Sequence, residues 1–305
     1  MLRKLVWLVI AAAVVGLAIF WFVTIPATVP AGALGAHKID IENGRKMFYA
    51  GGCASCHATS GQDDKLQLGG GHALHSPFGT FYAPNISPDP KTGIGSWTEE
   101  QFANAMLKGT SPDGSHYFPA FPYTSYNLMT IADVRDLFAF MKTLPPVQTA
   151  SRAHDVPFPF SIRRPLGGWK MLFFGDAPFK PDPTKSAQWN RGAYLVNGPG
   201  HCAECHSPRN FIGGIKAGQR FAGGPNPEGK GWVPNITQAR LKDWSEGDIA
   251  DFLESGMTPD GDSAGSNMAP VIRNTSQLGK EDREAMAVYI KSLAPVEGPK
   301  RPEQK

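Results

Sequence analysis

The sequence predicts a mainly α-helical chain, with one N-terminal transmembrane helix followed by two tandem helical domains of similar size. Three observations carry this expectation. Residues Leu5 to Ile25 form an apolar run with one weakly polar member, Thr24, behind the basic start Met1-Leu2-Arg3-Lys4. Four stretches of the first half recur in the same order in the second. Apolar residues in each half recur at helical spacing behind capping signals. The 305 residues suffice for two ordinary domains. Together 34 Gly and 27 Pro make up about a fifth of the chain, which suits long loops around something bulky. A hydrophobic content of 41% argues against disorder, and a net charge of +3 with no dense basic stripe argues against a nucleic-acid partner.

The first element is the apolar run. At ~1.5 Å per residue it spans about 31 Å, the thickness of a bilayer's hydrocarbon. A cleaved signal has an apolar region of roughly 7–15 residues. Residues 1–26 therefore read as an uncleaved signal anchor, against the alternative of a leader cut near Ala33 or Ala36. Arg3 and Lys4 should stay in the cytoplasm, which puts everything beyond Pro26 outside it, in the periplasm of a bacterium. Residues 27–39 read as a short spacer.

The repeat sets the domains. "YAPNIS" (82–87) matches "WVPNIT" (232–237), "SWTEEQFANAMLKGTSPDG" (96–114) matches "DWSEGDIADFLESGMTPDG" (243–261), and "ADVRDLFAFMKTLPPV" (132–147) matches "EDREAMAVYIKSLAPV" (281–296). Each half also opens with related residues, "NGRKMFYAGGCASCHA" and "RGAYLVNGPGHCAECHS". The domains are expected at 40–148 and 186–297, with a tail at 298–305. The intervening 149–185 is too long and too aromatic for a plain linker and should pack along both. The first helix of each half carries Gly44 or Gly192, where a missing side chain lets another helix cross closely. A middle helix starts at Thr98 or Ser245. Thr98 with Gln101 is a capping box, and the pairs Trp97–Phe102 and Trp244–Ile249 stand at staple positions. A last helix follows Thr130, lining up Val134, Leu137, Phe138 and Met141, and stops at Leu144-Pro145.

All four cysteines fall in two copies of one pattern. Cys53-Ala54-Ser55-Cys56-His57 and Cys202-Ala203-Glu204-Cys205-His206 are both C-x-x-C-H, the attachment signature of c-type haem. The spacing follows from the chemistry: two thiols reach two vinyl groups of one porphyrin, and the adjacent His lies beneath the iron. A four-thiolate zinc site would want its pairs closer than 149 residues. A thioredoxin-like motif or a pair of disulfides leaves both His unexplained. Two covalently bound haems c are expected, held by Cys53 and Cys56 with His57, and by Cys202 and Cys205 with His206.

An iron that only carries electrons wants a sixth ligand, usually Met, from the loop before the last helix. In the second half Met268 is the candidate, with Met257 at a helix end as its competitor. In the first half the place expected for Met, measured back from the final helix, is near 121 and holds Phe121, which cannot ligate. Met129 is the only Met in that loop and becomes the candidate, with His116 as an alternative and His72 or His75 behind it. Met106 and Met141 suit helix packing. Each proximal His also needs an acceptor for its other ring nitrogen. Pro84 and Pro234, at matching places in the repeat, offer carbonyls. Asn85 and Asn235 stand beside them to reach a propionate or another loop. Arg209 and Arg220 are candidates to neutralise propionates.

The chain resembles the cytochrome c subunits of bacterial membrane-bound dehydrogenases that oxidise alcohols, aldehydes, sugars and gluconate. The stretches "SPFGTFYAPNISPDPKTGIGSWTEEQF", "HYFPAFPYTSYNLMT", "GWKMLFFGDAPFKPDPTKSAQWNRGAYLV" and "GHCAECHSPRN" carry the resemblance, which covers about 40–297. It implies tandem class I-like cytochrome c domains and an electron-transfer role without substrate chemistry. Electrons would come from an extracytoplasmic dehydrogenase and leave to quinone, a soluble cytochrome or a terminal oxidase. Well-known members carry three haem domains where this chain has two, and many read "PAMPY" where this chain reads "PAFPY". Two alternatives stand beside this reading: a cytochrome subunit of a respiratory oxidase or supercomplex, and a di-haem peroxidase, which needs one haem with a releasable sixth position.

Overall fold

The computed structural model describes residues 1–301, and the end of the tail expected at 298–305 lies outside them. Helix α1 (Leu2–Val23) is apolar beyond Arg3 and Lys4, buries none of its residues, and is long and apolar enough to cross a membrane. The first domain follows with α2 (Ile41–Ala50), α3 (Cys53–His57), a hairpin of β1 (Ala73–Ser76) and β2 (Gly79–Tyr82), α4 (Glu99–Lys108), α5 (Tyr123–Tyr126) and α6 (Ile131–Met141). Helix α7 (Leu166–Phe173) lies in the interdomain segment. The second domain has α8 (Ala187–Asn197), α9 (Ala203–His206), a short ladder of β3 (Gly224–Pro225) and β4 (Trp232–Val233), α10 (Gln238–Leu241), α11 (Glu246–Ser255), α12 (Met268–Thr275) and α13 (Lys280–Lys291).

The same crossing builds both domains. A Cβ on Gly44 in α2 would sit 2.0 Å from the Asp136 carbonyl oxygen of α6. One on Gly192 in α8 would sit 1.8 Å from that of Ala285 in α13. Only glycine permits backbones this close. Around the first crossing Met47, Phe48, Val134 and Leu137 are sealed in the core, each contributing roughly 1.5–3 kcal/mol of hydrophobic burial. Both middle helices start as expected. Thr98 accepts from the Gln101 amide with the Gln101 side chain returning the bond, and Ser245 does the same with Asp248. Phe102 stacks on Phe138 at 4.6 Å, locking α4 to α6.

Three features differ from the sequence expectation. The two small hairpins were not foreseen; each has only two to four residues per strand, too short to leave a period-2 pattern. The segment 116–130, whose prolines 119 and 122 argue against any regular helix, contains the single turn α5, which starts directly after Pro122, where the missing amide costs no helical bond. Residues 27–39, expected as a spacer, are woven into the first domain. Val29 is buried and its amide donates to Asn104 Oδ1 (2.7 Å), and Thr110 Oγ1 donates to the Ala27 carbonyl (2.7 Å). Arg135 reaches the carbonyl of Leu34 (2.6 Å), and His37 pairs with the buried Asp136 (2.7 Å).

The interdomain segment does pack on both domains. Asp155 and Thr80 exchange backbone bonds at the hairpin edge (2.8 and 2.9 Å). Lys170 caps the end of α4 through the carbonyls of Lys108 and Gly109, at 2.6 and 2.9 Å, and burial pushes its ammonium down to about 8. On the other side Trp169 Nε1 donates to the Ile212 carbonyl (2.9 Å), and Phe179 meets Tyr194 edge-on.

Candidate haem sites

In the first half α2 ends at Gly51, the chain turns through the left-handed Gly52, and α3 presents Cys53, Cys56 and His57. In the second, α9 presents Cys205 and His206, with Cys202 as its N-cap. The i, i+3 spacing places both sulfurs of a pair on one face of a helical turn. None of the four cysteines is in a disulfide, and among the described residues no group of three or more His, Cys, Asp or Glu is placed to hold a metal ion. Burial pushes the thiols up, to about 12 for Cys53, Cys56 and Cys205 and about 11 for Cys202, so they stay protonated.

Each histidine is held by its far nitrogen. His57 Nδ1–H donates to the Pro84 carbonyl at 2.8 Å, and His206 Nδ1–H to that of Pro234 at 2.8 Å. Burial lowers the pKa of both rings, against the opposing effect of these bonds, which favours the neutral form. The bond fixes the tautomer and leaves Nε2 with its lone pair free for a metal. The carbonyls are themselves positioned. The amide of Gly70 donates to the His57 carbonyl (2.9 Å), and a Cβ there would lie 2.5 Å from the Pro84 oxygen. Gly223 repeats this with His206 (2.7 Å) and the Pro234 backbone. Asn85 and Asn235 clamp the same loops onto the strand after the last helix, through the carbonyls of Val147 (2.6 Å) and Val296 (2.8 Å). A haem fits this donor set: two free thiols on one face and an oriented neutral imidazole beside them, in each half.

The loops before the last helices differ. The isolated bridges Thr110–His116 and Met257–Ser263 align the halves with an offset of 147 residues, which puts Phe121 level with Met268. The last helices align with an offset of 149, by Asp136 and Ala285 at the glycine crossings and by the N-caps Thr130 and Gly279. That register puts Met129 level with Leu278. Met268 opens α12 and is half-buried against the core, and Phe121 is half-buried among Tyr117, Tyr123 and Tyr126. Met129 and Leu278 are both sealed, at 2% and 3% exposure. His116 Nε2–H donates to the Thr24 carbonyl at 2.9 Å, at the end of α1. His72 and His75 are exposed at the hairpin, Met257 is exposed, and Met106 and Met141 are core residues.

A reciprocal interface that sequence reasoning missed joins the halves. Ser125 and Thr124 donate to Glu204 Oε1, inside the second haem motif, at 2.9 and 2.8 Å. Asn274 Nδ2 donates to Ser55 Oγ, inside the first motif, at 3.0 Å. Ser125 and Asn274 are repeat equivalents, as are Ser55 and Glu204, so each attachment helix rests on the segment beside the other half's distal loop. Burial would raise the Glu204 carboxyl, but Arg209 at 2.7 Å and the two hydroxyls outweigh it and hold it below the usual range. Arg209 thus serves Glu204, and Arg220 bonds Asn197 Oδ1 (3.0 Å). The available signal was a charge at the second variable position of one C-x-x-C-H and a serine at the same place in the other.

Two helical domains that each offer a pair of thiols and a tautomer-fixed imidazole define a class of protein, the tandem haem-c electron carrier. The sequence profile of the cytochrome c family matches residues 41–145 and 190–294, one match per half, and the chain belongs to that family. It is 52% identical over 260 residues to a protein of Cereibacter sphaeroides named "Diheme cytochrome c-type", covering 85% of this chain and 87% of that one. It is 38% identical over 263 residues to the fructose dehydrogenase cytochrome subunit of Gluconobacter japonicus, covering 85% of this chain and 53% of that protein. It is 38% identical over 267 residues to the cytochrome c subunit of the quinone-linked alcohol dehydrogenase of Gluconacetobacter polyoxogenes, covering 84% of this chain and 56% of that protein.

Proposed function

We propose that this chain is the di-haem electron-transfer subunit of a periplasmic dehydrogenase, held to the inner membrane by α1 and passing electrons on to quinone, a soluble cytochrome or a terminal oxidase. The matched histidine–proline carbonyl pairs at 2.8 Å carry this reading, because two equivalent metal-ready imidazoles suit transfer better than substrate chemistry. Held by thioethers to Cys53 and Cys56 and to Cys202 and Cys205, the haems would supply reversible one-electron chemistry at their irons. The chain's part is to orient His57 and His206, exclude water and set potentials. The names of the fructose dehydrogenase and alcohol dehydrogenase cytochrome subunits support a dehydrogenase donor. Retention of α1 is supported by residues 24–37: a cut near Ala33 or Ala36 would remove the buried Thr24 and Val29 and the acceptors of His116 and Thr110. Co-purification from native membranes tests the assignment. A dehydrogenase should accompany the chain and reduce both haems on adding its substrate; an oxidase in its place would overturn the donor side.

Met268 is proposed as sixth ligand of the second iron. For the first, Met129 is the ligand its loop offers, and a second reading leaves Met129 in the core with Phe121 over the distal face. The repeat register with Leu278 and the 2% exposure of Met129 favour the second reading. Replacing Met129 with Leu decides between them: a ligand's loss changes the first haem's spectrum, whereas a core exchange leaves it in place.

A further inference from the structure

The interdomain segment presents an apolar surface that the electron-transfer role does not use. Phe158, Phe160, Ile162, Met171, Leu172 and Phe211 are between 47% and 90% exposed. A monomeric soluble surface does not normally gather residues of this size. They are also connected. Phe160 meets Phe78 edge-on at 5.3 Å, and a Cβ on Gly213, two residues from Phe211, would touch the Phe78 ring at 3.2 Å. The Phe173 ring of α7 lies over Gly214, 2.4 Å from where a Cβ would stand. The surface therefore runs from the first domain's hairpin across α7 to a loop of the second domain.

Its place is set by α1. A Cβ on Gly167, at the start of α7, would sit 2.5 Å from Thr24 Cβ, at the end of α1. The Arg164 guanidinium stacks 4.2 Å over the Trp21 ring and donates to the Trp21 carbonyl. A Cβ on Gly168 would lie 3.5 Å from the Phe20 ring. The exposed apolar residues thus begin where α1 would leave the hydrocarbon. Residues 156–174, "VPFPFSIRRPLGGWKMLFF", contain three basic residues and no acidic one. Aromatic rings, aliphatic tips and arginines without acids match the headgroup layer of a bilayer, which is apolar below and anionic above.

We propose that residues 156–174, with Phe211, form a second, interfacial membrane contact that lies in the outer headgroup layer and seats both haem domains flat against the lipid. This rests on the reading of α1 as a retained membrane helix. The occupant is lipid, because the surface is continuous with the end of α1 and the two charges within it that reach solvent, Arg163 and Arg164, are both positive, Lys170 being buried under α4.

The full holoprotein in its native membranes, where any dehydrogenase partner is also present, can be labelled with a photoactivatable phospholipid and mapped by mass spectrometry. Label on peptides holding Phe158–Ile162, Met171–Leu172 and Phe211, in addition to α1, is the expected result. Label confined to α1 overturns the interfacial contact and leaves the anchor standing; it is also the outcome if a protein partner covers the surface. An intact mass that begins beyond residue 26 overturns the anchor reading itself. A triple variant, Phe158→Asp, Leu172→Asp and Phe211→Asp, should keep its haem spectrum and α1 label while losing the rest. Unchanged labelling at those peptides would overturn the assignment of these side chains to lipid.

Discussion

The two halves agree around His57 and His206 and part company in the loops before their last helices. Glycine crossing, histidine–proline bond and asparagine clamp recur with distances matched to within about 0.2 Å. In those loops Phe121 stands level with Met268, and the first half is hydrogen-bonded to the N-terminal segment, whereas among the described residues no such bond reaches the second. Proximal geometry is what haem attachment demands, so it tolerates little change. The distal side sets the potential and can differ, which lets two haems in one chain stand at different levels.

The glycine crossings should break both halves alike and most severely. Gly44→Ala and Gly192→Ala each drive a methyl into a backbone carbonyl, with no flexible side chain to yield, and should cost upward of ~3 kcal/mol in the affected half. Thermal unfolding followed at each haem's absorbance would show which half has melted.

The distal difference comes next. Met268→Leu should lower the second haem's potential by an amount on the order of tenths of a volt, within the roughly 0.8 V that axial ligands command. Phe121→Met should make the first haem resemble the second. Spectroelectrochemical titration resolves both, and an unmoved second potential would remove Met268 from the iron.

The interface residues differ in charge. Glu204→Ala leaves Arg209 without its partner and should cost about 2–3 kcal/mol, short of the full penalty for a buried pair because Arg209 keeps some solvent contact. Ser55→Ala removes one neutral bond, worth ~1 kcal/mol. Denaturant titration of both variants checks the ratio. Equal losses would mean that the charge at Glu204 adds nothing to the interface.

The smallest effect concerns acid. Burial alone would raise the Asp136 carboxyl, but bonds from the Asp40 amide, Asn43 and His37 lower it below its ordinary 3.8. A carboxyl depressed in the folded state stabilises fully above that value, and the contribution disappears as pH falls through the lower folded pKa. Ala285 holds the equivalent place in the second domain. Below about pH 4 the first half should therefore loosen before the second, seen as earlier amide exchange at residues 37–43.

The proximal sites were legible because their chemistry fixes residue spacing. Two C-x-x-C-H motifs and the repeat mark both sites, and Pro84 with Pro234 at matching distances offer the carbonyls that the histidines bond. Capping box and crossing glycine were readable for the same reason: each is a local rule with one residue that satisfies it. The Glu204–Ser125 and Asn274–Ser55 bonds were not, since they join residues 79 and 219 positions apart through the packing of two domains. The tie of 27–39 to the first domain was hidden by a composition that suits a spacer. Met129 is the one methionine in its loop, yet the 149-residue offset between 132–147 and 281–296 sets Leu278 level with it, and the glycine crossings at Asp136 and Ala285 keep that register.

The segment 116–130 is pinned at His116 to Thr24 at the end of α1, and at Thr124 and Ser125 to Glu204 in the second haem motif. A strut fastened at both ends cannot swing. If α1 stays in the bilayer, the two irons keep a constant height above it and a constant spacing, and the chain works as a fixed wire, not as a shuttle: partners must bring their own redox centres to it.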